Sequence, residues 1–373
     1  MNDVHDADVK TPAVSTESSK VETNRVAVGG MRLMAFDLLK LFAIFLVIYG
    51  HSIQHLLSSH YSDEPVYRYI YSFHMPLFMM VSGFFSVSSM RQSFIPFLSK
   101  KFRQLILPCL TWGLLLWYSC HLALWIFRGL SFSPFAFWGY LFYDWWFLKS
   151  CFLCYLLAWL GEHSRLSKPV WILLTLMLSS FVSTFYFKLM YPGFVVGMLL
   201  RTNDNLFRWL VRRWYVPAIV FAAMSFFWDK SFWEHSFSMR DTIKGLLVGG
   251  VLVTDGLYYD VYRLLIGIVG SLSFIGLFNR VFTGSPATPF ARVCSDWGGY
   301  TLSIYILQSI ILEIGLGFLL KLDGLGFVAF NFVVAPAISF LVLVFCVLIA
   351  KQIERSRVAA YLLMGKPLGA TRR

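Results

Sequence analysis

Charge is what this sequence has least of. Only 14% of its 373 residues are Asp, Glu, Lys or Arg, and just 20 are acidic. A soluble globular domain carries about 25% charged residues, so an ordinary water-facing surface is excluded. Alternating ten-residue segments are also missing, which excludes a membrane β-barrel. The six cysteines, Cys109, Cys120, Cys151, Cys154, Cys294 and Cys346, form no even ladder and mostly sit in apolar runs, so a disulfide scaffold is excluded. Cys151-x-x-Cys154 has no second Cys or His pair nearby and reads as packing, not metal or redox chemistry. Met1 to Gly30 lack the apolar core of a signal peptide and read as a disordered cytoplasmic tail. No internal repeat of the kind common in secondary transporters is visible.

What is present is apolar and aromatic: 58% hydrophobic residues with 37 Phe and 13 Trp, and a mean hydropathy of +0.65. Lipid must be the solvent for most of such a chain, and helices are the form that satisfies its backbone there. The fold class expected is all-α, a polytopic helical membrane protein of about ten transmembrane helices with both termini cytoplasmic. The organisation expected is a tail over 1–30, a transmembrane domain over 31–351 and a basic cytoplasmic tail over 352–373.

The spans are expected near 33–57, 69–90, 104–127, from 145 onward, 169–187, 189–200, 214–228, 261–282, 300–320 and 327–350. Arg91 to Arg103 mix Lys and Arg with Phe and suit a helix lying among headgroups. Ile243 to Val253, inside the longest loop, suit a re-entrant or interfacial piece. On this layout most of the 32 Lys and Arg fall on the side of the termini, which places that side in the cytoplasm. The net charge of +12 is then accounted for by cytoplasmic loops, and no nucleic-acid partner is called for.

The first apolar run, Phe36 to His51, carries Asp37, Lys40 and His51, with His55 one turn further. Lys40 and His51 lie on one helix face about 16 Å apart along the axis. Ionisable groups inside a membrane helix cost about 2.5 to 3.5 kcal/mol each on insertion scales, so the stripe reads as functional. The competing explanations are a Lys40 that snorkels to the headgroups and a His51 hydrogen-bonded within the bundle. Other polar groups reach a comparable depth on this layout. They are His74 in span two, Lys149 near the start of span four, and Thr301, Tyr305, Gln308 and Glu313 along span nine.

Four stretches resemble the membrane acyltransferase family 3, bacterial integral-membrane O-acyltransferases that modify carbohydrates. They are Asp37-Leu38-Leu39-Lys40 through Gly50-His51, Phe73-His74-Met75-Pro76-Leu77-Phe78 with Ser82-Gly83-Phe84, Trp146-Phe147-Leu148, and Tyr300-Thr301-Leu302-Ser303-Ile304-Tyr305. The similarity runs from Met31 to about Lys351, and the first two stretches are the specific ones. The chain departs from the pattern by having Lys40 where Arg is commoner and Gln308 where His is frequent. No soluble hydrolase-like domain follows the spans, unlike in fused members of the family.

The resemblance implies a bacterial inner-membrane enzyme that moves an acetyl or other acyl group from acetyl-CoA (acyl-CoA) to a hydroxyl of a free or lipid-linked carbohydrate. Glycan-synthesis proteins are the partners it implies, and it requires no metal. His51 is then the natural general base, because imidazole titrates near operating pH. His74 is a second candidate base or an oxyanion donor, and Lys40 a donor-binding group or the ion-pair partner of Asp37. Lys149 is a candidate oxyanion donor. Together with Asp37, Trp146, Tyr305, Gln308 and Glu313 it also makes up the candidate acceptor-binding set. Lys101, Arg103 and Arg201, with the neighbouring Lys100, would take the charged end of the donor. Taken singly, each of these cations also reads as an ordinary cytoplasmic loop charge.

The alternative function, from a different class, is a transporter or flippase of a lipid-linked glycan, with Lys40, His51 and Glu313 as a proton relay. The missing repeats count against it. Label passing from acyl-CoA to an acceptor in detergent, where no gradient exists, separates the two.

Overall fold

The computed structural model describes residues 15–58, 61–128, 145–180, 184–249, 256–283 and 288–368, with Val182 and Thr254. Among the described residues all regular structure is helical. Helices occupy each of the ten apolar segments. α1 is Ser15–Leu56, α2 Pro65–Ser86, α3 Phe94–Lys101, α4 Leu107–Arg128, α5 Trp146–His163 and α6 Lys168–Ser179. α7 is Phe187–Thr202, α8 Asp204–Arg212, α9 Tyr215–Ser225, α10 Met239–Gly249, α11 Leu257–Phe282 and α12 Pro289–Gly298. α13 is Thr301–Leu319 and α14 Phe327–Arg355, and α15 is Arg357–Met364.

Four of these, Met34–Leu56 within α1, α11, α13 and α14, are long and apolar enough by themselves to cross a membrane. α6 and α9 are apolar but shorter. The segment expected among headgroups carries α3. α3 runs through a π-helical turn, Phe102–Ile106, directly into α4. The apolar piece expected at Ile243 to Val253 begins inside α10, and residues 250–253 lie outside the described residues, as do residues 1–14 and 369–373 of the two expected tails.

The scaffold of the molecule is the pairing of α2 with α7. Gly193-Phe194-Val195-Val196-Gly197 on α7 is a small-x-x-x-small pattern that lets two backbones meet. A Cβ at Gly197 would stand 1.9 Å from the Met80 carbonyl oxygen, and one at Gly83 would stand 2.0 Å from that of Phe194. Each helix also holds a proline, Pro76 and Pro192. Pro76 has no N–H to give the Ser72 carbonyl, which loosens α2 beside His74.

α1 lies against this pair, with Phe36, Leu39 and Ala43 in one apolar cluster and Ile44, Val47 and Ile48 in another. Its C-terminal end is tied to the loop between α13 and α14. Leu322 N–H donates to Leu56 O at 2.8 Å, and Lys321 Nζ to His55 O at 2.8 Å. Asp323 accepts from Ser58 N–H at 2.8 Å and from its hydroxyl at 2.6 Å, which hold the carboxyl below the usual carboxylate range. These bonds fix the segment that carries His51 and His55.

Candidate active site

A cavity of about 690 Å³ opens between the C-terminal part of α1, the N-terminal half of α2 and the second half of α13. α1 supplies His51, Gln54 and His55, and α2 supplies Tyr71, Ser72, His74 and Pro76. α13 supplies Tyr305, Gln308, Ser309, Ile310, Glu313 and Ile314. Trp145 and Trp146 at the start of α5, Tyr186 before α7, Trp228 after α9 and Arg263 near the start of α11 complete much of the wall.

The geometry around the two histidines is specific. Tyr71 sits beside both, its ring centroid 6.4 Å from that of His51 and 4.5 Å, edge-on, from that of His74. Its hydroxyl donates to Gln54 Oε1 at 3.1 Å. His55 lies one turn along, its ring centroid 5.6 Å from that of His51. His74 is 1% exposed, and its Nδ1 is 2.8 Å from the Ile70 carbonyl. A carbonyl only accepts, so Nδ1 carries the proton and Nε2 of the neutral ring keeps a lone pair. His51 Nδ1 is buried and makes no hydrogen bond. The explanation of His51 as a ring satisfied within the bundle therefore does not hold for that nitrogen.

α13 reaches the cavity through a π-helical stretch, Ile310–Leu316. A π turn widens the helix and shifts its register, a device common at functional sites, and here it lets Gln308, Ser309, Ile310, Glu313 and Ile314 all face one space. Gln308 is fully buried; its Nε2 donates to Tyr305 O at 3.2 Å and its Oε1 has no partner. Trp145 Nε1 donates to Ser309 Oγ at 3.0 Å, joining α5 to α13.

The structure thus brings together seven residues singled out from the sequence: His51, His55, His74, Trp146, Tyr305, Gln308 and Glu313. The others stand elsewhere. Lys40 pairs with Asp37 at 2.5 Å, toward the opposite end of α1, and neither lines the cavity. Lys149 Nζ lies 5.6 Å from the Phe185 ring, outside the lining. Lys101 is 6% exposed with Nζ 3.5 Å from the Tyr155 ring, Arg103 has a buried Nε without a partner, and Arg201 lies over Phe84 at 5.6 Å. None of these three lines the cavity.

Tyr71, Gln54 and Arg263 were not singled out from the sequence. Arg263 had a signal, since Asp260-x-x-Arg263 puts opposite charges one turn apart at the start of an apolar helix. Among the described residues no group of three or more His, Cys, Asp or Glu side chains could hold a metal ion.

One family model covers most of the chain. The family model described as an acyltransferase domain, that of acyltransferase family 3, matches residues 34–351. The chain is also similar to two proteins called nodulation protein NolL. It is 32% identical to that of Mesorhizobium japonicum over 147 residues, 38% of this chain and 39% of the relative. It is 31% identical to that of Sinorhizobium fredii over 179 residues, 45% of this chain and 48% of the relative. The matches therefore span less than half the length of these curated relatives. No solved structure matches the chain.

Proposed function

Because the chain belongs to acyltransferase family 3, we propose that it is an integral-membrane O-acyltransferase that moves an acetyl or other acyl group from acyl-CoA to a carbohydrate hydroxyl, with the cavity as its acceptor chamber. The observation that carries this function is the convergence of His51 and His74, from two helices, on one polar and aromatic cavity.

In this reaction the acceptor oxygen attacks the thioester carbon, the new C–O bond forms and the C–S bond breaks. The proton leaves the hydroxyl for a histidine and passes on to the departing CoA thiolate. His51 is the base. His74, whose Nδ1 proton is held by Ile70 O, presents Nε2 as a second acceptor that orients the hydroxyl. Trp146, Tyr305 and the other aromatic walls suit the faces of sugar rings, while Gln308 and Glu313 suit their hydroxyls.

The donor is made in the cytoplasm, which goes with ten spans in a bacterial inner membrane and both termini inside. Lys101, Arg103 and Arg201 then receive the charged end of CoA, and Lys40 with Asp37 lies on its route. The acceptor is a free or lipid-linked glycan, met together with glycan-synthesis partners.

The test is transfer of radiolabel from acetyl-CoA to membrane glycans in detergent. Wild-type protein should label an acceptor, and His51→Ala should lose about 10² to 10⁴ of the rate, the usual contribution of a general base. A wild-type protein that transfers no label from any acyl-CoA, with no gradient present, overturns the proposal and leaves the transporter class.

A further inference from the structure

Three bulky residues hold backbone conformations that their side chains resist. Among the described residues, the non-glycine positions with positive φ are Trp145 at 49°, Phe185 at 58° and Tyr186 at 52°. In that region Cβ crowds the backbone carbonyl, and a large aromatic residue stays there only where its surroundings hold it. Such strain gathers at functional sites. Two of the three, Trp145 and Tyr186, line the chamber.

Contacts on both sides hold the turn at Tyr186. Phe185 carries Lys149 Nζ 5.6 Å from its ring centroid. Phe187 is buried and stacks on Tyr191 at 5.5 Å. Lys188 Nζ reaches Asp260 Oδ2 at 2.5 Å and the Ser236 hydroxyl at 2.9 Å, and Arg263 Nη1 lies 3.7 Å from the same carboxylate. The Tyr186 ring itself stays out of the core. It is 49% exposed, with its centroid 4.9 Å from that of Trp146 and the two planes inclined at 55°. Two flat faces set at an angle make a corner for the apolar face of a sugar ring.

This corner and the histidines stand at different depths. His74 is 1% exposed and Gln308 fully buried, so they form the floor of the chamber, while half-exposed Tyr186 stands at its mouth. Gly193 meets Pro76 and Gly197 meets Met80, so α7 and α2 run side by side in one direction. Counted back along both, Tyr186 is level with Tyr69, and His74 lies about 8 Å further along the helix axis. A sugar stacked on Tyr186 is therefore one ring removed from the histidines.

Resting on the acyl-transfer function above, we propose that Tyr186 and Trp146 form a sugar-stacking subsite at the mouth of the chamber and that the acceptor is at least a disaccharide. The ring to be acylated sits on the floor, with its hydroxyl at His51 and His74, and its neighbour lies against Tyr186. The strained backbone at Tyr186 persists because it places that aromatic face.

The experiment uses the full chain in nanodiscs and measures label transfer from acetyl-CoA to intact membrane glycans and to the monosaccharides released from them by acid hydrolysis. Wild-type protein should prefer the intact glycans by about tenfold or more in kcat/KM, the worth of one aromatic contact. Tyr186→Gly, which accepts the positive φ, should melt at or above the wild-type temperature. It should also raise the KM for intact glycans about tenfold and leave the KM for acetyl-CoA unchanged. Tyr186→Trp, which keeps a flat face, should retain the wild-type glycan KM.

Equal use of monosaccharides and intact glycans by wild-type protein overturns the proposal, as does a wild-type glycan KM in Tyr186→Gly. If Tyr186→Gly does not fold, Tyr186→Asn, which also accepts this backbone, carries the same comparison. If wild-type protein transfers no label, the acyl-transfer function fails, and binding of the intact glycans, read from tryptophan fluorescence, decides this proposal separately. Binding weakened about tenfold in Tyr186→Gly sustains it, and binding that is absent or unchanged removes it.

Discussion

Replacing Gly197 by Ala sets local preference against packing. In a helix Ala is favoured over Gly by about 0.8 to 1.0 kcal/mol, so propensity alone expects a stabler protein. The tertiary structure expects the reverse. The new Cβ would stand 1.9 Å from the Met80 carbonyl oxygen and 2.9 Å from Phe84 N. A carbon and a carbonyl oxygen rest comfortably at about 3.3 Å, so α7 and α2 must part by about 1.4 Å.

Both neighbours are backbone atoms and cannot swing aside. Overpacking of this kind costs about 1 to 3 kcal/mol, which exceeds the gain in propensity. The displaced helices are also walls of the chamber: α2 carries His74, and α7 carries Leu189 and Met190. A misplacement of about 1 Å near a reacting group can cost about 100-fold in rate. The expected result is a lower melting temperature in detergent and roughly 100-fold slower label transfer per folded molecule. Gly324→Ala, where a Cβ meets nothing within 4 Å, serves as the control. Wild-type melting and turnover in Gly197→Ala would refute the reasoning.

Three further outcomes are expected. His74→Ala should slow transfer by about 10- to 1,000-fold while leaving the KM for acetyl-CoA unchanged; a wild-type rate removes His74 from the site. Asp260→Asn should destabilise the folded protein by about 3 to 5 kcal/mol, because it takes away the carboxylate that Lys188 and Arg263 share; a thermal melt in detergent checks it, and an unchanged curve contradicts the ion cluster. Lys40→Ala should raise the KM for acetyl-CoA and leave acceptor KM untouched, since Lys40 lies outside the chamber; steady-state kinetics with either substrate varied reads the difference, and a change in acceptor KM alone would place Lys40 on the wrong substrate.

The sequence alone determined the solvent, the helical class and the first two motif stretches. Low charge and long apolar runs leave a chain no other way to satisfy its backbone in lipid. It also singled out His51 and His74, because polar groups in apolar segments are legible one residue at a time. What it did not determine is which of those groups share a space. Lys149 had the right expected depth but lies outside the lining, and Lys40 shares a helix face with His51 yet stands three turns away from the cavity. Arg263, at the very start of its apolar segment, joins the chamber wall only because α11 packs beside α2, where Gly267 meets Pro76 and the Ser72 carbonyl. The π-helical register of α13 and the backbone contact of α2 with α7 decided the rest. Helix rotation and the distance between helices depend on packing between segments far apart in the chain, and that packing exists only in the folded protein.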